Sequence, residues 1–436
     1  MSAIAVERPE TIGYTRLLRE NPQFRRLWLG QVVSNAGDWF NNIAVLGLVL
    51  QLTDSAAAAG WVIIAQQIPS FFLSPVSGAI VDRFDRRRVM IAADVLRAVI
   101  AMGFLLIRRP DQVWIAYVLG AGLMMLSSFF GPAQTAAIPN LVRQDALISA
   151  NGLAGSTWGA MLAIGAAIGG LVSAYLGRDV AFVINAVSFL ASAALISSIR
   201  ASFHERGGEG DETRQHIPVW AGFGEALRYI GRRPGVWTLL LVKAGWGVGG
   251  GIVLLLSVFA TQVFQAGDNG IGLLYAARGL GVLLGPYVIR MFVGNDFRRM
   301  RRTISVAFAF VGVFYSLFSL APTLALAMLM VTASHFWAGT AWVLSSTMLQ
   351  QLVPDRLRGR VFAIDNGLVM LTIPLSTLVV GHASEVFHPR VVARGTAATF
   401  FVTAALYTVL LISTKQRNPT AFFEPGAQPP EHEFIP

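Results

Sequence analysis

Long apolar runs, separated by short polar segments, fill the chain from residue 27 to residue 414. Each run is about twenty residues long, which is the length that a helix needs to cross a ~30 Å hydrocarbon core. The runs lie at 27–50, 57–81, 89–107, 113–138, 151–176, 179–199, 236–263, 268–292, 303–320, 323–350, 360–384 and 396–414. The pattern predicts an all-α membrane protein with twelve transmembrane helices.

The longest polar stretch, residues 200–235, lies between the sixth and seventh runs. It divides the chain into an N-terminal tail (1–26), a six-helix bundle (27–199), a linker (200–235), a second six-helix bundle (236–414) and a C-terminal tail (415–436). Within the linker, four apolar residues recur at helical spacing: Trp220, Phe223, Leu227 and Ile230. This spacing predicts a short amphipathic helix on the membrane surface.

The two halves share a short repeated segment. LVRQDAL begins at Leu141, after the fourth run, and LVPDRLRGR begins at Leu352, after the tenth run. Parallel repeats of six spans with a substrate site between them are one known plan of membrane transporters. The repeat therefore favours two pseudo-symmetric bundles.

Composition excludes several classes of protein. Hydrophobic residues make up 54% of the chain and charged residues only 13%, about half the ~25% usual for soluble proteins. An ordinary soluble enzyme and a disordered chain are therefore excluded. The chain has no cysteine, which excludes disulfides, thiolate metal sites and cysteine nucleophiles. It contains no Walker loop, no H-E-x-x-H and no G-x-S-x-G motif, so we expect no enzyme, no metal site and no cofactor.

The basic residues are distributed unevenly between the predicted loops. With both termini on one side, 26 of the 34 Lys and Arg residues fall in the tails and loops of that side, and five fall on the other. The positive-inside rule then predicts that both termini are cytosolic. The formal net charge of +10 is accordingly interpreted as a signal of orientation among membrane lipids, not of nucleic-acid binding. We expect the chain to lie in a bacterial cytoplasmic membrane.

The loop between the second and third runs carries the most specific motif. GAIVDRFDRRRVM (78–90) matches the pattern G-x-x-x-D-R-x-G-R-R, with Asp85 at the position of the second Gly. The matching residues are Gly78, Asp82, Arg83, Arg86 and Arg87. On this motif the chain resembles the major facilitator superfamily over nearly its whole length. The resemblance implies the major facilitator fold and transport by alternating access.

Three further segments resemble one branch of that superfamily. SNAGDWFNNIAVLGLVLQLTDSAAAAG, LVRQDALISANGL and LVPDRLRGRVFAI are similar to twelve-span exporters of the macrolide-efflux and enterobactin-exporter type. GAAIGG (165–170) resembles the end of an antiporter motif, with Ala166 in place of Pro; close helix packing is the alternative explanation of these glycines.

The resemblance also implies a cytosolic gate. In the superfamily, the acidic residue of the loop, here Asp82, meets the N-terminus of span eleven, which begins here near Arg360. We place four charged residues in the same gate: Asp94, Arg97, Arg360 and Asp365. For Asp94 and Arg97, which are three residues apart on one helix, an intrahelical ion pair is the alternative.

The first span carries the strongest candidate for a substrate cavity. Four polar residues share one face of this helix: Gln31, Asn35, Asp38 and Asn42. Ionisable groups inside a membrane are rare and mark functional sites, so we assign proton coupling to Asp38. Span two adds Gln67 and Ser70 to the cavity, with interhelical hydrogen bonds as the alternative role of its serines.

Other polar or aromatic residues inside the spans complete the predicted cavity: Lys243, Trp246, Arg278, His335 and Trp342. Arg278 either pairs with Asp38 or holds an anionic group. Lys243 either lines the cavity or extends to the cytosolic surface. For His335, a packing role is the alternative.

These observations predict a secondary active transporter, most simply a monomer, that exports a drug-like or amphipathic small molecule in exchange for protons. Two alternatives stay open. The cargo could be a siderophore or a lysolipid, or the chain could be a sensor that transports nothing.

Overall fold

The computed structural model describes residues 13–143, 146–201, 203, 219–294 and 296–417. Within helices it leaves undescribed the side chains of residues 74–76, 78–83, 148, 219–223, 355–356 and 414–417. The helices are α1 (Tyr14–Glu20), α2 (Pro22–Thr53), α3 (Ala56–Arg83), α4 (Arg86–Gly103), α5 (Val113–Leu141), α6 (Leu147–Tyr175), α7 (Arg178–Ser197), α8 (Val219–Arg232), α9 (Pro234–Val248), α10 (Ile252–Val258), α11 (Gly267–Val293), α12 (Phe297–Leu320), α13 (Leu324–Leu352), α14 (Asp355–Val386) and α15 (Pro389–Arg417). No β-strand occurs in these described ranges.

The twelve predicted spans are all present as helices. Spans one to six are α2 to α7, span seven is α9 with α10, and spans eight to twelve are α11 to α15. In the described residues, eleven helical segments are long and apolar enough to cross a membrane. The twelfth is α2, whose 32 residues are long enough, but whose polar stripe lowers its mean hydropathy.

Side-chain caps explain where several helices begin. Asn21 accepts a hydrogen bond from the Phe24 amide (2.9 Å) at the start of α2, and Pro22 occupies the first position, where no amide donor is needed. Asp296 caps α12 by accepting from the amides of Arg298 and Arg299. Those backbone donors, Arg299 first, hold the pKa of the Asp296 carboxyl below its ordinary value.

Span seven is interrupted where its sequence is richest in glycine. Helix α9 ends at Val248, three glycines (249–251) form a turn, and α10 begins at Ile252. The Gly251 amide, freed from the helical ladder, donates to Ser376 Oγ (2.9 Å). Residues Phe259–Val263 then form one turn of π-helix. Span seven is therefore not one regular α-helix, and both irregular turns are places where its axis can bend.

The described helices belong to two compact units. Unit 1 comprises Met1–Glu212 and Leu254–Leu280, and unit 2 comprises Thr213–Val253 and Gly281–Pro436. In unit 1, α2 packs on α6 and α7, α3 packs on α5, and α4 packs on α5 and α7. In unit 2, α12 packs on α13 and α15, while α9 packs on α13, α14 and α15. Residues 254–280, which continue the chain of unit 2, are thus packed within unit 1.

The predicted linker helix is present as α8. Ile230 is buried in protein, whereas Leu227 is exposed; the side chains of Trp220 and Phe223 lie outside the described residues. Tyr229 Oη donates to the Leu352 carbonyl (3.1 Å), so α8 is attached to unit 2 by one side. The predicted apolar face is therefore divided between protein packing and the surface.

Candidate functional site

A cluster of three charged side chains lies in the middle of unit 1. Asp38 is near the midpoint of α2, and Arg97 approaches it from α4. Arg97 Nη2 donates to Asp38 Oδ2 (2.8 Å) and Oδ1 (3.1 Å). Arg97 Nη1 donates to Asp94 Oδ1 (3.1 Å), one turn earlier on α4. One guanidinium thus bridges two carboxylates.

The three side chains differ sharply in exposure. The side chain of Asp38 is 38% exposed, whereas that of Arg97 is 4% exposed and that of Asp94 is fully buried. Arg97 also lies over the ring of Phe189, with its guanidinium carbon 3.9 Å from the ring centre. Asp38 is therefore the member of the cluster that a solute can reach.

The charges of this cluster do not cancel. Two carboxylates and one guanidinium leave one excess negative charge when all three groups are ionised. An uncompensated charge is strongly unfavourable at the centre of a membrane. The cluster therefore favours the uptake of one positive charge, either a proton or a cationic group of a solute.

Small residues on α2 let α7 approach the cluster. A Cβ atom added at Gly37 would collide with Ser188 of α7, and one added at Gly30 would lie 3.2 Å from Ser192 Oγ. The close contact brings Phe189, between those two serines on α7, against Arg97. Glycines beside Asp38 thus help to build the wall that holds its partner.

The other residues of the polar stripe are half-buried: Gln31, Asn35 and Asn42. Gln31 connects three helices, since its Nε2 donates to the Ala154 carbonyl of α6 (3.0 Å) and its Oε1 accepts from Gln134 of α5 (3.0 Å). Gln31 is therefore held in place by protein contacts.

One serine of α3, Ser70, forms the kind of interhelical hydrogen bond that was given as the alternative role of the serines in span two. Ser70 Oγ accepts from Ser128 Oγ of α5 (3.3 Å), which is an interhelical hydrogen bond. Gln67, one turn earlier, is half-buried.

A second pair of buried charges lies in unit 2. Lys243 Nζ of α9 is 2.5 Å from Asp365 Oδ2 of α14, with the side chains 3% and 0% exposed. The ammonium also lies 4.4 Å from the ring centre of Trp342. Lys243 therefore does not extend to the surface. Asp365, which the sequence places with the cytosolic gate, is the partner of Lys243.

Lys243 also lines a small cavity among α9, α12 and α13. Two predicted cavity residues, Trp246 and Trp342, line it as well, and the remaining walls are Val242, Phe308, Val311, Ala338 and Ala341. Three of the residues predicted for a substrate cavity thus meet in unit 2, in apolar and aromatic surroundings.

His335 is enclosed in an aromatic environment in the same unit. Its Nδ1 lies 3.2 Å from Tyr315 Oη and 3.2 Å from the Val331 carbonyl, and its ring packs edge-on against Trp246 at 5.7 Å. The side chain is buried and hydrogen-bonded, as in the packing role given above as the alternative.

Arg278 lies beside aromatic residues of unit 1. Its guanidinium carbon is 5.8 Å from the ring centre of Tyr275, and the Tyr275 ring is 6.0 Å from the ring of Trp39. Among the described residues, the ion pair of Asp38 is made with Arg97 and not with Arg278.

The arginines of the predicted gate hold the ends of neighbouring segments. Arg86 donates to the carbonyls of Ala136 (2.9 Å) and Phe203 (3.1 Å), and Arg87 donates to the Ser197 carbonyl. These contacts attach the start of α4 to the ends of α5 and α7. Of the two α4 residues predicted for the same gate, Arg97 pairs with Asp38, and Asp94 pairs with Arg97.

The departure from the motif at Asp85 has a structural explanation. Asp85 adopts φ −61°, which requires no glycine, and it caps α4 by accepting from the Arg88 amide (2.8 Å). The side chains of Asp82 and Arg83, and the surroundings of Gly78, lie outside the described residues. Arg360, at the other end of the predicted gate, donates to Glu225 of α8 (2.7 Å).

A further ion pair that the sequence does not predict joins the ends of α7 and α11. Arg178, at the first residue of α7, binds Asp268 in the first turn of α11 through Nε–Oδ2 (2.6 Å) and Nη2–Oδ1 (2.9 Å). Arg178 also donates to Gln51 of α2, and a Cβ atom at Gly47 would collide with the Asp268 carboxylate. In the sequence both charges stand beside polar loops, where they indicate only topology.

Comparison with known sequences places the chain in a family. The sequence profile of the family described as transmembrane secretion effector matches residues 17–428. The multidrug efflux pump Tap of Mycolicibacterium fortuitum is 29% identical over 381 residues, covering 85% of this chain and 89% of Tap. BacE of Bacillus subtilis strain 168, whose name refers to bacilysin export, is 26% identical over 82% of this chain and 87% of its own.

Solved structures share the fold. A bacterial homolog of the human lysosomal transporter Spinster, in an inward-facing and unoccupied conformation, superimposes with a TM-score of 0.70 at 15% identity, covering 93% of this chain and 99% of that one. A POT family transporter in complex with a thioalcohol-conjugated peptide gives 0.73 at 10% identity, with 91% and 96% coverage. At these identities the likeness shows the fold alone, and it confirms the predicted all-α, twelve-helix architecture. The chain therefore belongs to the transmembrane secretion effector family of the major facilitator superfamily, as a multi-pass membrane transporter of the exporter type and not an enzyme.

Proposed function

We propose that this protein exports a cationic, amphipathic, drug-like molecule in exchange for protons, with Asp38 as the residue that couples the two. The observation that carries the proposal is the excess negative charge of the Asp38–Arg97–Asp94 cluster, together with the 38% exposure of Asp38. A cluster with one negative charge in excess is neutralised by one proton or by one cationic group, but not by both. This mutual exclusion is the thermodynamic basis of antiport.

The orientation of the protein and the direction of transport are supported by different observations, the first by charge and the second by the relatives. The arginine-rich segments lie on the side of the predicted termini, which the positive-inside rule places in the cytosol of a bacterium. The names of Tap and BacE refer to an efflux pump and an exporter. We therefore orient the protein in the cytoplasmic membrane with both termini inside, working as a monomer and moving its cargo outward.

An anionic cargo, such as a siderophore or a lysolipid headgroup, is less well supported. Of the two cations that could attract it, Lys243 is neutralised at 2.5 Å by Asp365, which leaves Arg278. A cationic cargo instead meets an accessible carboxylate at Asp38. The aromatic rings of Trp39 and Trp158, 6.2 Å apart beside α2, suit the apolar part of an amphipathic cation.

The loop at 78–90 is proposed to take part in the cytosolic gate. The bonds of Arg86 and Arg87 to the carbonyls at the ends of α5 and α7 support this role, because they make the start of α4 move together with those helices.

Transport by the reconstituted full-length protein tests the proposal. Tetraphenylphosphonium serves as the cationic probe, and triphenylphosphine oxide serves as its uncharged counterpart of similar aromatic bulk. The membrane potential is held at zero with valinomycin and equal potassium, and a pH gradient with an acidic lumen is imposed. We expect inside-out molecules to accumulate the cation several-fold in the lumen and to leave the uncharged probe at equilibrium.

Asp38→Asn is expected to abolish this gradient-driven accumulation, because the cluster then has no excess charge. Asp179→Asn is the matched control, since Asp179 forms an exposed ion pair with Arg108 (2.9 Å) away from the cluster. Full accumulation by Asp38→Asn would refute the assignment of coupling to Asp38. Absence of flux for the cation, for a siderophore and for a lysolipid by folded wild-type protein would favour a non-transporting sensor.

A further inference from the structure

We infer that Arg97 is a switch with two positions, through which a proton held on Asp94 prevents a cationic substrate from binding at Asp38. This inference rests on the proposed function and assigns the proton and the substrate to different carboxylates of the same cluster. Arg97 acts as a positioning residue, since it reaches the substrate only through Asp38.

The hydrogen bonds of Arg97 show that two acids compete for one guanidinium. Arg97 makes two bonds to Asp38 (2.8 and 3.1 Å) and one to Asp94 (3.1 Å). When Asp94 is protonated, it no longer attracts the guanidinium as an anion, and Arg97 neutralises Asp38 fully. When Asp94 is ionised, it draws Arg97 toward α4, and Asp38 becomes available to a cation from outside the cluster.

The surroundings of Arg97 allow this shift. The guanidinium lies over the ring faces of Phe189 (3.9 Å) and Phe130 (5.8 Å), which attract a cation without fixing the direction of its N–H groups. Besides Asp38, helix α2 offers Arg97 one long hydrogen bond, from Arg97 Nη1 to Ser34 Oγ (3.4 Å). A small rotation of the arginine head between the two carboxylates therefore leaves its aromatic support unchanged.

The exposure of the two acids gives each a separate task. Asp94 is fully buried, so a proton can be held there while a molecule of substrate size is excluded. Asp38 is 38% exposed, so an organic cation can contact it. The proton and the substrate therefore bind at different atoms of the cluster. Each still excludes the other, because the same guanidinium contacts both carboxylates.

The groups that face Asp94 from the neighbouring helices are few. Helix α2 contributes Asp38 and Ser34 through Arg97, and α7 contributes the hydroxyl of Ser192. Helix α5 contains one ionisable residue, Tyr117, whose hydroxyl donates to the Ala58 carbonyl. Its other polar side chains are amides and hydroxyls, which do not titrate. The charged residues of α7, Arg178 and Asp179, stand at its far end. Among the described residues, Asp38 and Arg97 are therefore the charges that act most directly on a proton at Asp94.

The test is the pH dependence of tetraphenylphosphonium binding to the full-length protein in detergent. If one proton leaves as one cation binds, linkage requires the wild-type affinity to rise by about tenfold per pH unit in the range where the cluster titrates. Asp94→Asn imitates the protonated state permanently. We expect this variant to bind the cation about tenfold more weakly than wild type at the alkaline end, with less than about twofold change across the same pH range.

Asp94→Ser is a second neutral variant with the same expected result, should the asparagine variant fail to fold. Asp94→Glu keeps an acid at this position and should keep the pH dependence. If Asp94 had only a structural role, the pH dependence would not follow the presence of an acid. A wild-type pH slope in a folded neutral variant would overturn the switch while leaving the proposed function intact. Absence of cation binding by wild type at every pH would overturn the proposed function and this inference together.

Discussion

At the scale of single residues, the sequence locates the acids but not their partners. Asp38 could be recognised because a carboxylate inside an apolar run is rare and is joined by Gln31, Asn35 and Asn42 on one face. Its partner Arg97 is 59 residues away in the sequence. That contact depends on how α2 and α4 are arranged around α7, which residue spacing within one helix does not determine. The same reason explains why the pair of Lys243 and Asp365 was divided between two predicted sites.

The Lys243–Asp365 pair leads to a stability prediction. Lys243→Met leaves Asp365 buried with no opposite charge, and breaking a buried pair in this way costs about 3–5 kcal/mol. We expect a clearly lower melting temperature for the single variant in detergent. The double variant Lys243→Met with Asp365→Leu should recover most of that loss, because neither charge is then buried alone.

Equal melting temperatures for wild type and Lys243→Met would contradict this reasoning. The variant Lys415→Met is the matched control, since the same substitution at the C-terminal end of α15 removes a lysine outside this pair.

At the scale of helices, hydropathy predicts the number and order of the elements well. It does not predict how their ends are connected. The turn of three glycines that separates α9 from α10 lies inside a continuous apolar run, so the sequence reads as one span. The ion pair between α7 and α11 was missed for a related reason, because Arg178 and Asp268 stand at the ends of spans, where charged residues are common.

Charge reversal tests whether this ion pair connects α7 to α11. Arg178→Asp and Asp268→Arg each place like charges where the structure has a bidentate pair with Asp268 almost buried. We expect each single variant to lower the melting temperature, and the double variant to recover much of the difference, because the pair is re-formed in reverse. Additive losses in the double variant would show that the two residues do not interact.

At the scale of the whole molecule, the sequence establishes the family resemblance and the fold, and both are confirmed by the family match and the solved structures. The packing of residues 254–280 within unit 1 could not be deduced from the sequence. These residues continue directly into helices of unit 2, and only contacts such as Gly170 with Gly272 between α6 and α11 determine to which unit they belong. The sequence motifs therefore predicted the family and the fold. The partners of the charged residues in the candidate site depend on helix packing, which the motifs do not contain.

The central claim is that one cluster in this chain exchanges one proton for one organic cation. The most direct measurement is the number of protons released when tetraphenylphosphonium binds to the solubilised protein in weakly buffered solution near the midpoint of the pH-dependent binding. We predict a release approaching one proton per bound cation for wild type and none for Asp38→Asn. Binding of the cation by wild type without proton release would contradict the account.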